Sequence, residues 1–402
     1  MKNKNCYYPL LGFCLTVLLW GCESAQKKDE IVLAETEGIA RSLEYVVVKR
    51  PSQSQGTLVL KDKDTDEIFR GKKLIQEDSN QDSISYIFPM SINAHQKRTF
   101  LVLDSDSGQG QQEETLKITG EHPAMTVENR FFIADFNTSP AKVERGLYPG
   151  QLSGIFIKKK HILLKRELNN MHWAPNFQKE SEDYKTIGHA NVDDAKISQN
   201  NSFFLEMVKK GRVKGYEEID LWEKYKFFAG LPYFLYESTM SFNKEANLFF
   251  LRNNEMTMDK LFTHLVYSDS LGKTKEIPLY DDVKMDSLTK APLADDVKWV
   301  GFINKPKGYG LVSLQLDYDN THINGGESTL YKPHMKITKA GNEGRYWNRR
   351  LVHDHNTIVT KGSRYHEKNA YLVLDGLDNL NKQINYFFKA INNPIAIYYS
   401  SE

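Results

Sequence analysis

Alternation of apolar and polar residues is the dominant pattern along the chain, and it has the two-residue period of a β-strand. Four such segments fall within the first hundred residues, separated by clusters of turn-forming residues. We therefore expect residues 34–104 to form a small β-sandwich module. Its strand candidates are Tyr45–Val48, Thr57–Leu60, Ile84–Phe88 and Thr99–Leu103.

A second and longer block of alternating sequence follows residues 105–115, a polar stretch that we predict to be a linker. Within this block, Glu218–Phe228 and Tyr233–Phe242 alternate on either side of a Gly-Leu-Pro turn and predict an antiparallel hairpin. Residues 116–402 are thus predicted to form one large domain that carries the active site.

The predicted fold class is all-β: a large antiparallel β-sandwich preceded by the small β module. The composition agrees, because 21 Tyr, 21 Phe and 5 Trp favour strands over helices. Helical patterns are confined to two short segments, Asp378–Ile391 and Asn200–Lys210.

The chain begins with the pattern of a bacterial lipoprotein signal. Lys2 and Lys4 give a positive start, residues 9–20 form an apolar run, and a small residue precedes Cys22. The run is shorter than the roughly 20 apolar residues that span a bilayer. We expect residues 1–21 to be removed and Cys22 to be acylated; cleavage at another bond, with an ordinary cysteine at this position, is the alternative.

Residues 22–33 are predicted to be a polar tether between the lipid and the folded part. Its sequence Gln-Lys-Lys-Asp-Glu at 26–30 resembles the acidic export signal of Bacteroidetes lipoproteins. The expected location is therefore the outer membrane, at the cell surface or on the periplasmic face, with the lipid at Cys22 as the membrane attachment.

The charge balance and the missing motifs narrow the function classes. With 53 basic and 52 acidic residues, the chain lacks the basic excess typical of nucleic-acid binding. It also lacks a Gly-x-Ser-x-Gly nucleophile, a phosphate-binding glycine loop and a dinucleotide fingerprint.

His353 and His355 could provide two metal ligands, but without a spaced third ligand we predict no metal. We expect a monomer without nucleic-acid partner or cofactor.

Two segments carry a resemblance to a known group of proteins. Val127–Phe132 and the hairpin Tyr225–Tyr233 resemble strands of the large antiparallel supersandwich shared by galactose-mutarotase-like proteins and many polysaccharide lyases. With its lipoprotein start, the chain is similar to the ulvan oligosaccharide dehydratases of marine Bacteroidetes polysaccharide-utilisation systems. This resemblance implies an enzyme, a carbon-oxygen lyase, that removes water or an alcohol from a uronate-containing, sulfated oligosaccharide and leaves a 4,5-unsaturated uronate.

Such an elimination needs a base for the C5 proton, a cation for the carboxylate and an acid for the departing oxygen. The segments Tyr331–His334 and Arg345–His355 contain all of these residue types. We take His334, Tyr346 and His353 as catalytic candidates, and the residues Trp347, Arg349 and Arg350 as substrate-binding candidates. If Arg345–His355 is a strand, Arg349 and His353 share one face and Arg350 lies on the other. An ion-paired, solvated strand is the structural alternative.

A second candidate segment is Met171–Phe177. Trp173 is suited to stacking on a pyranose ring, and His172 to donating or accepting a proton. A purely structural loop is the alternative. His189 is expected to be a loop histidine and His264 a hydrogen-bonded core residue.

Two other function classes stay open. A glycoside hydrolase needs two carboxylates facing each other across the sugar, and its candidates, Glu217, Glu218, Glu223 and Glu237, are scattered by strand alternation. A surface glycan-binding lipoprotein would need only stacking residues such as Trp173, Trp222 and Trp347.

Overall fold

Antiparallel strands build both parts of the molecule, which confirms the predicted all-β fold class. The structure is a computed structural model that describes ten ranges of the chain. These ranges are 29–51, 58–75, 83–104, 115–137, 150–165, 175–190, 195–258, 260–339, 344–352 and 355–399.

The first part is a module of two small sheets that pack face to face. Its strands are β1 (Glu30–Ala34), β2 (Arg41–Pro51), β3 (Leu58–Asp62), β4 (Ile68–Arg70), β5 (Lys72–Lys73), β6 (Ser83–Ile92), β7 (Lys97–Asp104) and, from the other end of the chain, β29 (Ala396–Tyr399). One sheet has the order β29-β1-β7-β3-β4 and the other β2-β6-β5. Apolar residues of both sheets, among them Val48, Leu60 and Phe88, fill the core between them.

This module takes in more of the chain than the sequence predicted. Residues 30–33, assigned to the tether over 22–33, belong to β1, because Ile31 and Leu33 are buried in the module core. Strand β29, assigned to the domain over 116–402, pairs antiparallel with β1 and extends the same sheet. Both corrections have one cause: β1 and β29 pair in one sheet, and Ile397 of β29 packs against the core that contains Ile31 and Leu33.

Three further predictions concern residues outside the described ranges. They are the signal peptide over 1–21, the lipid attachment at Cys22 and nearly all of the linker over 105–115.

The second part is built on a nine-stranded antiparallel sheet, called the central sheet below. Its strands are β15 (Ala195–Asn200), β16 (Phe204–Val213), β17 (Tyr216–Phe228), β18 (Tyr233–Phe242), β21 (His264–Ser268), β22 (Thr274–Pro278), β23 (Trp299–Asn304), β24 (Tyr309–Asp319) and β28 (Arg364–Leu374). They lie in the order β15-β16-β17-β18-β28-β24-β23-β21-β22. Strands β17 and β18 form the predicted hairpin, in register from Ile219↔Phe242 to Phe227↔Phe234.

Two five-stranded sheets cover one face of the central sheet and complete the sandwich. The first facing sheet contains β8 (Lys117–Glu121), β9 (Ala124–Glu128), β10 (Phe132–Asp135), β11 (Gly154–Ile157) and β12 (Ile162–Lys165). The second facing sheet contains β13 (Asn176–Gln178), β14 (Lys185–Thr186), β20 (Phe250–Met258), β25 (Met335–Lys339) and β26 (Arg345–Val352), in the order β14-β13-β20-β26-β25. A separate pair is formed by β19 (Ala246–Leu248) and β27 (Thr357–Val359).

Helical structure is sparse in the described chain. The helices are α1 (Asp282–Lys290) and α2 (Leu380–Asn392), with short 3-10 turns at Lys158–Lys160 and Ile187–His189. Helix α2 confirms the prediction over Asp378–Ile391. Its Ile384 packs, with Trp299 and Leu372, on the face of the central sheet that the two five-stranded sheets leave open.

The other helix prediction, over Asn200–Lys210, is wrong. Strand β16 occupies most of this segment and pairs on one side with β15 and on the other with β17. Pairing on both edges satisfies the backbone groups of the segment within the sheet, and this tertiary context overrides the local helical spacing.

Candidate functional site

A row of polar side chains crosses the inner face of the central sheet. Neighbouring strands place Lys209 opposite Glu223, Glu223 opposite Ser238, Ser238 opposite Glu367, and Glu367 opposite Tyr318. Residues directly opposite each other in a ladder share one face of the sheet. The five side chains, from β16, β17, β18, β28 and β24, therefore all face the covering sheets.

This polar row separates two apolar cores. On β17, Glu223 lies between Tyr225, which belongs to the larger core, and Leu221, which belongs to the smaller one. The exposed fraction is 0% for Glu223 and 1% for Glu367. A buried carboxylate is costly unless it is paired or hydrogen-bonded. The stability of these two carboxylates therefore depends on their partners.

Arg349 of β26 reaches the row from the second facing sheet. Its Nε lies 3.1 Å from Oε2 of Glu367, and both side chains are nearly fully buried. The other carboxylate oxygen of Glu367 accepts a hydrogen bond from Asn254, whose own side-chain oxygen accepts one from Tyr371 at 2.6 Å. Glu367 is thus held by a cation and an amide, and Arg349 is fixed in one orientation.

His334, which precedes β25, contacts the same guanidinium. Arg349 Nη1 lies 2.7 Å from His334 Nε2. Since a guanidinium can only donate, this nitrogen must accept, and the imidazole proton lies on Nδ1. Burial and the neighbouring Arg349 charge lower the pKa of His334 to about 4, against an opposing effect of Asp295. The histidine is therefore neutral near pH 7.

Asp295 holds His334 from the solvent side. Its Oδ1 accepts backbone hydrogen bonds from His334 at 2.7 Å and Met335 at 3.2 Å, and its Oδ2 lies 3.3 Å from His334 Nδ1. The Asp295 side chain is 31% exposed, so Asp295 separates the buried His334 from the solvent.

Tyr318 and Gln315 of β24 complete the cluster. The Arg349 guanidinium carbon lies 4.0 Å from the centre of the Tyr318 ring, and Arg349 Nη2 donates to Gln315 Oε1 at 3.2 Å. The Tyr318 hydroxyl is buried without a hydrogen-bond partner among the described residues. Burial raises the pKa of Tyr318, so this hydroxyl stays protonated. We call these residues the His334 cluster; they are Asp295, Gln315, Tyr318, His334, Arg349 and Glu367.

The structure divides the predicted site between two faces of β26. Arg349 faces the central sheet, whereas Tyr346 and Arg350 lie on the opposite face, as expected from strand alternation. There Arg252 lies between them, with its guanidinium 5.9 Å from the Tyr346 ring and 2.6 Å from Glu255. Tyr346 and Arg350 therefore cannot act together with His334, which corrects the single composite site predicted from sequence.

Trp347 does not have the predicted role. Its exposed fraction is 0%, and it packs in the larger apolar core beside Met335 and Tyr371. A ring that is enclosed on all sides cannot stack on a sugar. The alternation of β26 turns this residue, like Arg349, toward the central sheet.

Three of the predicted site residues, His172, Trp173 and His353, lie outside the described ranges. His355 is exposed beyond the end of β26. His189 closes a 3-10 turn: its Nδ1 accepts the backbone hydrogen bond of Thr186 at 3.1 Å, a structural role.

The candidate carboxylates of the hairpin are scattered, as the alternation predicted. Glu223 faces inward, where Tyr236 donates a hydrogen bond to it at 3.0 Å. Glu237 faces outward and pairs with Lys224 at 3.1 Å.

Sequence reasoning missed Glu367, Tyr318 and Asp295. A usable signal existed for Glu367, because it occupies an inward position between aromatic residues, Tyr365 and Tyr371, on one strand face.

Among the described residues, no group of three or more His, Cys, Asp or Glu side chains is placed to hold a metal ion. Within the same residues, no helix combines the length and the apolar character needed to cross a membrane.

Comparisons with known proteins identify the fold. The sequence matches no protein-family model and no curated protein. An alpha-mannosidase from Enterococcus faecalis V583 superposes with a TM-score of 0.57 at 9% identity, over 94% of this chain and 46% of that one. A glycosyl hydrolase family 38 protein from Enterococcus faecalis gives 0.54 at 10% identity, over 94% and 48%. The chain thus spans about half the length of these carbohydrate-processing proteins and shares the β-rich fold of that half.

Proposed function

We propose that this protein is a carbohydrate-active elimination enzyme, a dehydratase or lyase acting on uronate-containing, sulfated oligosaccharides such as those of ulvan. One observation carries the proposal: a single buried arginine, Arg349, contacts both a neutral histidine, His334, and a protonated tyrosine, Tyr318. These are the cation, the base and the acid that the reaction needs. The fold shared with carbohydrate-processing proteins supports the same substrate class.

Arg349 has the role of binding the uronate carboxylate. Its side chain is 2% exposed, so the substrate has to reach it past Asp295, whose side chain is 31% exposed. Its Nε is committed to Glu367, whereas Nη1 and Nη2 contact neutral acceptors, His334 and Gln315. A substrate carboxylate is a stronger acceptor than either and matches the fork of the guanidinium. Neutralising the carboxylate stabilises the charge that develops at C5 when the proton leaves.

His334 has the role of base. When the substrate carboxylate takes over Arg349 Nη1, the lone pair of His334 Nε2 is released and can accept the C5 proton. Asp295, beside Nδ1, stabilises the imidazolium that forms. A lowered pKa keeps the imidazole unprotonated before the reaction.

Tyr318 has the role of acid. Its hydroxyl proton passes to the oxygen that leaves C4, as the C4–O bond breaks and the C4–C5 double bond forms. The products are the 4,5-unsaturated uronate and either water or an alcohol. His334 then returns its proton to the tyrosinate, directly or through water, and the cycle closes without a cofactor.

The same proposal includes the cellular setting. A lipid at Cys22 would hold the enzyme at the outer membrane, at the cell surface or on the periplasmic face, beside its oligosaccharide substrate. The enzyme would act as a monomer without a nucleic-acid partner.

Inverting glycoside hydrolysis is the second candidate function. It is favoured by Glu223 and Glu367, which face the same interior from strands on either side of β18. Their backbones lie two strand spacings, about 9–10 Å, apart, which is on the scale of the roughly 6.5–9.5 Å between the carboxyl groups of inverting enzymes. However, Glu367 is already paired with Arg349, which favours elimination.

Turnover of ulvan oligosaccharides by the full chain tests the proposal. The unsaturated product absorbs in the ultraviolet, so its formation can be followed directly. We expect His334→Gln and Tyr318→Phe each to lower kcat by about 10²–10⁴-fold. The matched control is Tyr346→Phe, on the opposite face of β26, which should retain activity. Equal loss in the control, or full activity in both site variants, would reject the His334 cluster as the active site.

A further inference from the structure

Two cavities lie where the small module, helix α2 and the β17–β18 turn meet, and no residue of the His334 cluster lines either of them. They have volumes of about 160 Å³ and about 180 Å³. Leu43, Leu231, Tyr386 and Phe387 line both, so the two cavities adjoin at these side chains. We call the two cavities together the junction groove.

Aromatic rings form the walls of the first cavity. Phe228 stacks on Tyr45 with 5.6 Å between ring centres and an interplanar angle of 21°. Tyr233 meets Phe387 edge to face at 5.9 Å. Tyr45 is also fixed by a hydrogen bond from its hydroxyl to the carbonyl of Ala229 at 2.7 Å. The ring contacts and this hydrogen bond hold the aromatic walls in place.

A charged pair lines the end of this cavity. Arg41 is 3% exposed and donates hydrogen bonds to the carbonyls of Ala390 and Asn393, near the end of α2. It also contacts Glu44, whose pKa is raised by burial. The Nε atom of Arg41 is buried without a hydrogen-bond partner among the described residues. Glu44 keeps the exposed part of this pair, with 16% of its side chain accessible against 2% for Arg41.

The second cavity has the same combination of aromatic and polar groups. Phe131 and Tyr386 supply rings, and Arg130, Asp375 and Gln383 supply polar side chains. The linings of both cavities thus combine aromatic rings with polar side chains.

We propose that the junction groove is a second oligosaccharide-binding site, separate from the active site. Pyranose rings present apolar C–H faces to aromatic rings and hydroxyls to charged side chains, which is the pattern of this groove. A lipid chain is disfavoured because the exposed parts of Glu44, Arg130 and Asp375 would lose hydration against it. The identity of the sugar, a short segment of the same glycan, rests on the proposed function.

A second binding site changes the affinity of the enzyme for a polymer. A polysaccharide held in the junction groove raises the effective concentration of its other segments near the active site. Short oligosaccharides can occupy just one of the two sites at a time, so they gain nothing from this effect. The groove should therefore increase affinity for long chains and leave turnover of short ones unchanged.

Binding of polymeric ulvan to the full-length protein tests the inference. Tyr386→Ala removes a half-buried ring that lines both cavities, and Leu43→Trp fills the groove without removing a wall. We expect each variant to bind the polymer about tenfold more weakly by calorimetry, which corresponds to about 1.4 kcal/mol. The control is Tyr398→Ala, a tyrosine on β29 that is 54% exposed and does not line the groove.

Activity on short ulvan oligosaccharides separates this inference from the proposed function. The groove variants should keep wild-type turnover, whereas His334→Gln should lose turnover and still bind the polymer. If the wild type binds ulvan without turning it over and the groove variants bind more weakly, the proposed function fails and the groove stands. Wild-type affinity in Leu43→Trp, with folding verified by thermal unfolding, or no binding by the wild type, overturns the inference.

Discussion

Arg349 donates a hydrogen bond to Nε2 of His334 over 2.7 Å, and this bond determines the state of the histidine. It places the imidazole proton on Nδ1, which lies 3.3 Å from Asp295 Oδ2. Burial of the ring, together with the Arg349 charge, lowers the pKa of His334 and keeps the ring neutral. The same guanidinium is anchored through Nε to Glu367. In the proposed mechanism, His334 becomes available as the base when a substrate carboxylate replaces it on Arg349.

Asp295 should act as a positioning residue for His334. In Asp295→Asn the side chain can still accept the backbone hydrogen bonds of His334 and Met335, so the loop keeps its structure. The negative charge that raises the pKa of His334 is lost. We expect a lower kcat and an acidic limb of the kcat against pH profile displaced to lower pH. A purely structural role would lower activity without moving this limb.

Glu367 should contribute to stability through its buried pair with Arg349. Glu367→Gln leaves a buried guanidinium without its counter-ion, which costs about 3–5 kcal/mol in the free energy of unfolding. Denaturant titration measures this loss. The matched control is Glu237→Gln, which breaks a partly exposed pair with Lys224 and should cost less than about 1 kcal/mol. Similar costs for the two variants would contradict the buried ion pair.

His334 should make the protein less stable in acid. Its pKa is lowered in the folded state, so between its ordinary value of 6.5 and about 4 the unfolded chain binds a proton that the folded protein does not. The free energy of unfolding therefore falls as the pH drops through this window, by up to about 3 kcal/mol. In His334→Gln this part of the slope should be absent. Identical pH dependence in wild type and variant would show that His334 is not buried as a neutral base.

Trp347 should matter for stability rather than for sugar binding. Trp347→Ala opens a cavity in the larger core and should cost about 3–5 kcal/mol by denaturant titration. Trp347→Phe keeps most of the packing, and we expect it to bind ulvan oligosaccharides with wild-type affinity. A large loss of affinity in a folded Trp347→Phe variant would restore the stacking role predicted from sequence.

The sequence predicted the fold class because alternation is a local signal. The β17–β18 hairpin is visible from its two alternating runs and the turn between them. The pairing of β29 with β1 was not predictable in the same way, because it joins the two ends of the described chain. Such pairings depend on which surfaces meet in three dimensions, and local patterns do not contain this information.

The site was predictable in part for a related reason. Residue type alone selected His334 and Arg349, and alternation placed Arg349 and Arg350 on opposite faces. His334 lies next to Arg349 because β25 pairs with β26 from Met335↔Arg349 onward. Asp295 and Tyr318 reach His334 from distant parts of the chain. Contacts of this kind have no sequence period.

The mass of the reaction product tests the central claim most directly. We would incubate the purified full-length protein with a defined ulvan oligosaccharide that ends in a uronate and analyse the mixture by mass spectrometry. A terminal dehydration predicts a product lighter by one water, and chain cleavage by elimination predicts two fragments whose masses sum to that of the substrate. With the His334→Gln variant, neither the dehydrated product nor the cleavage fragments should form. Fragments that together carry one added water, or an unchanged substrate, would contradict the elimination account.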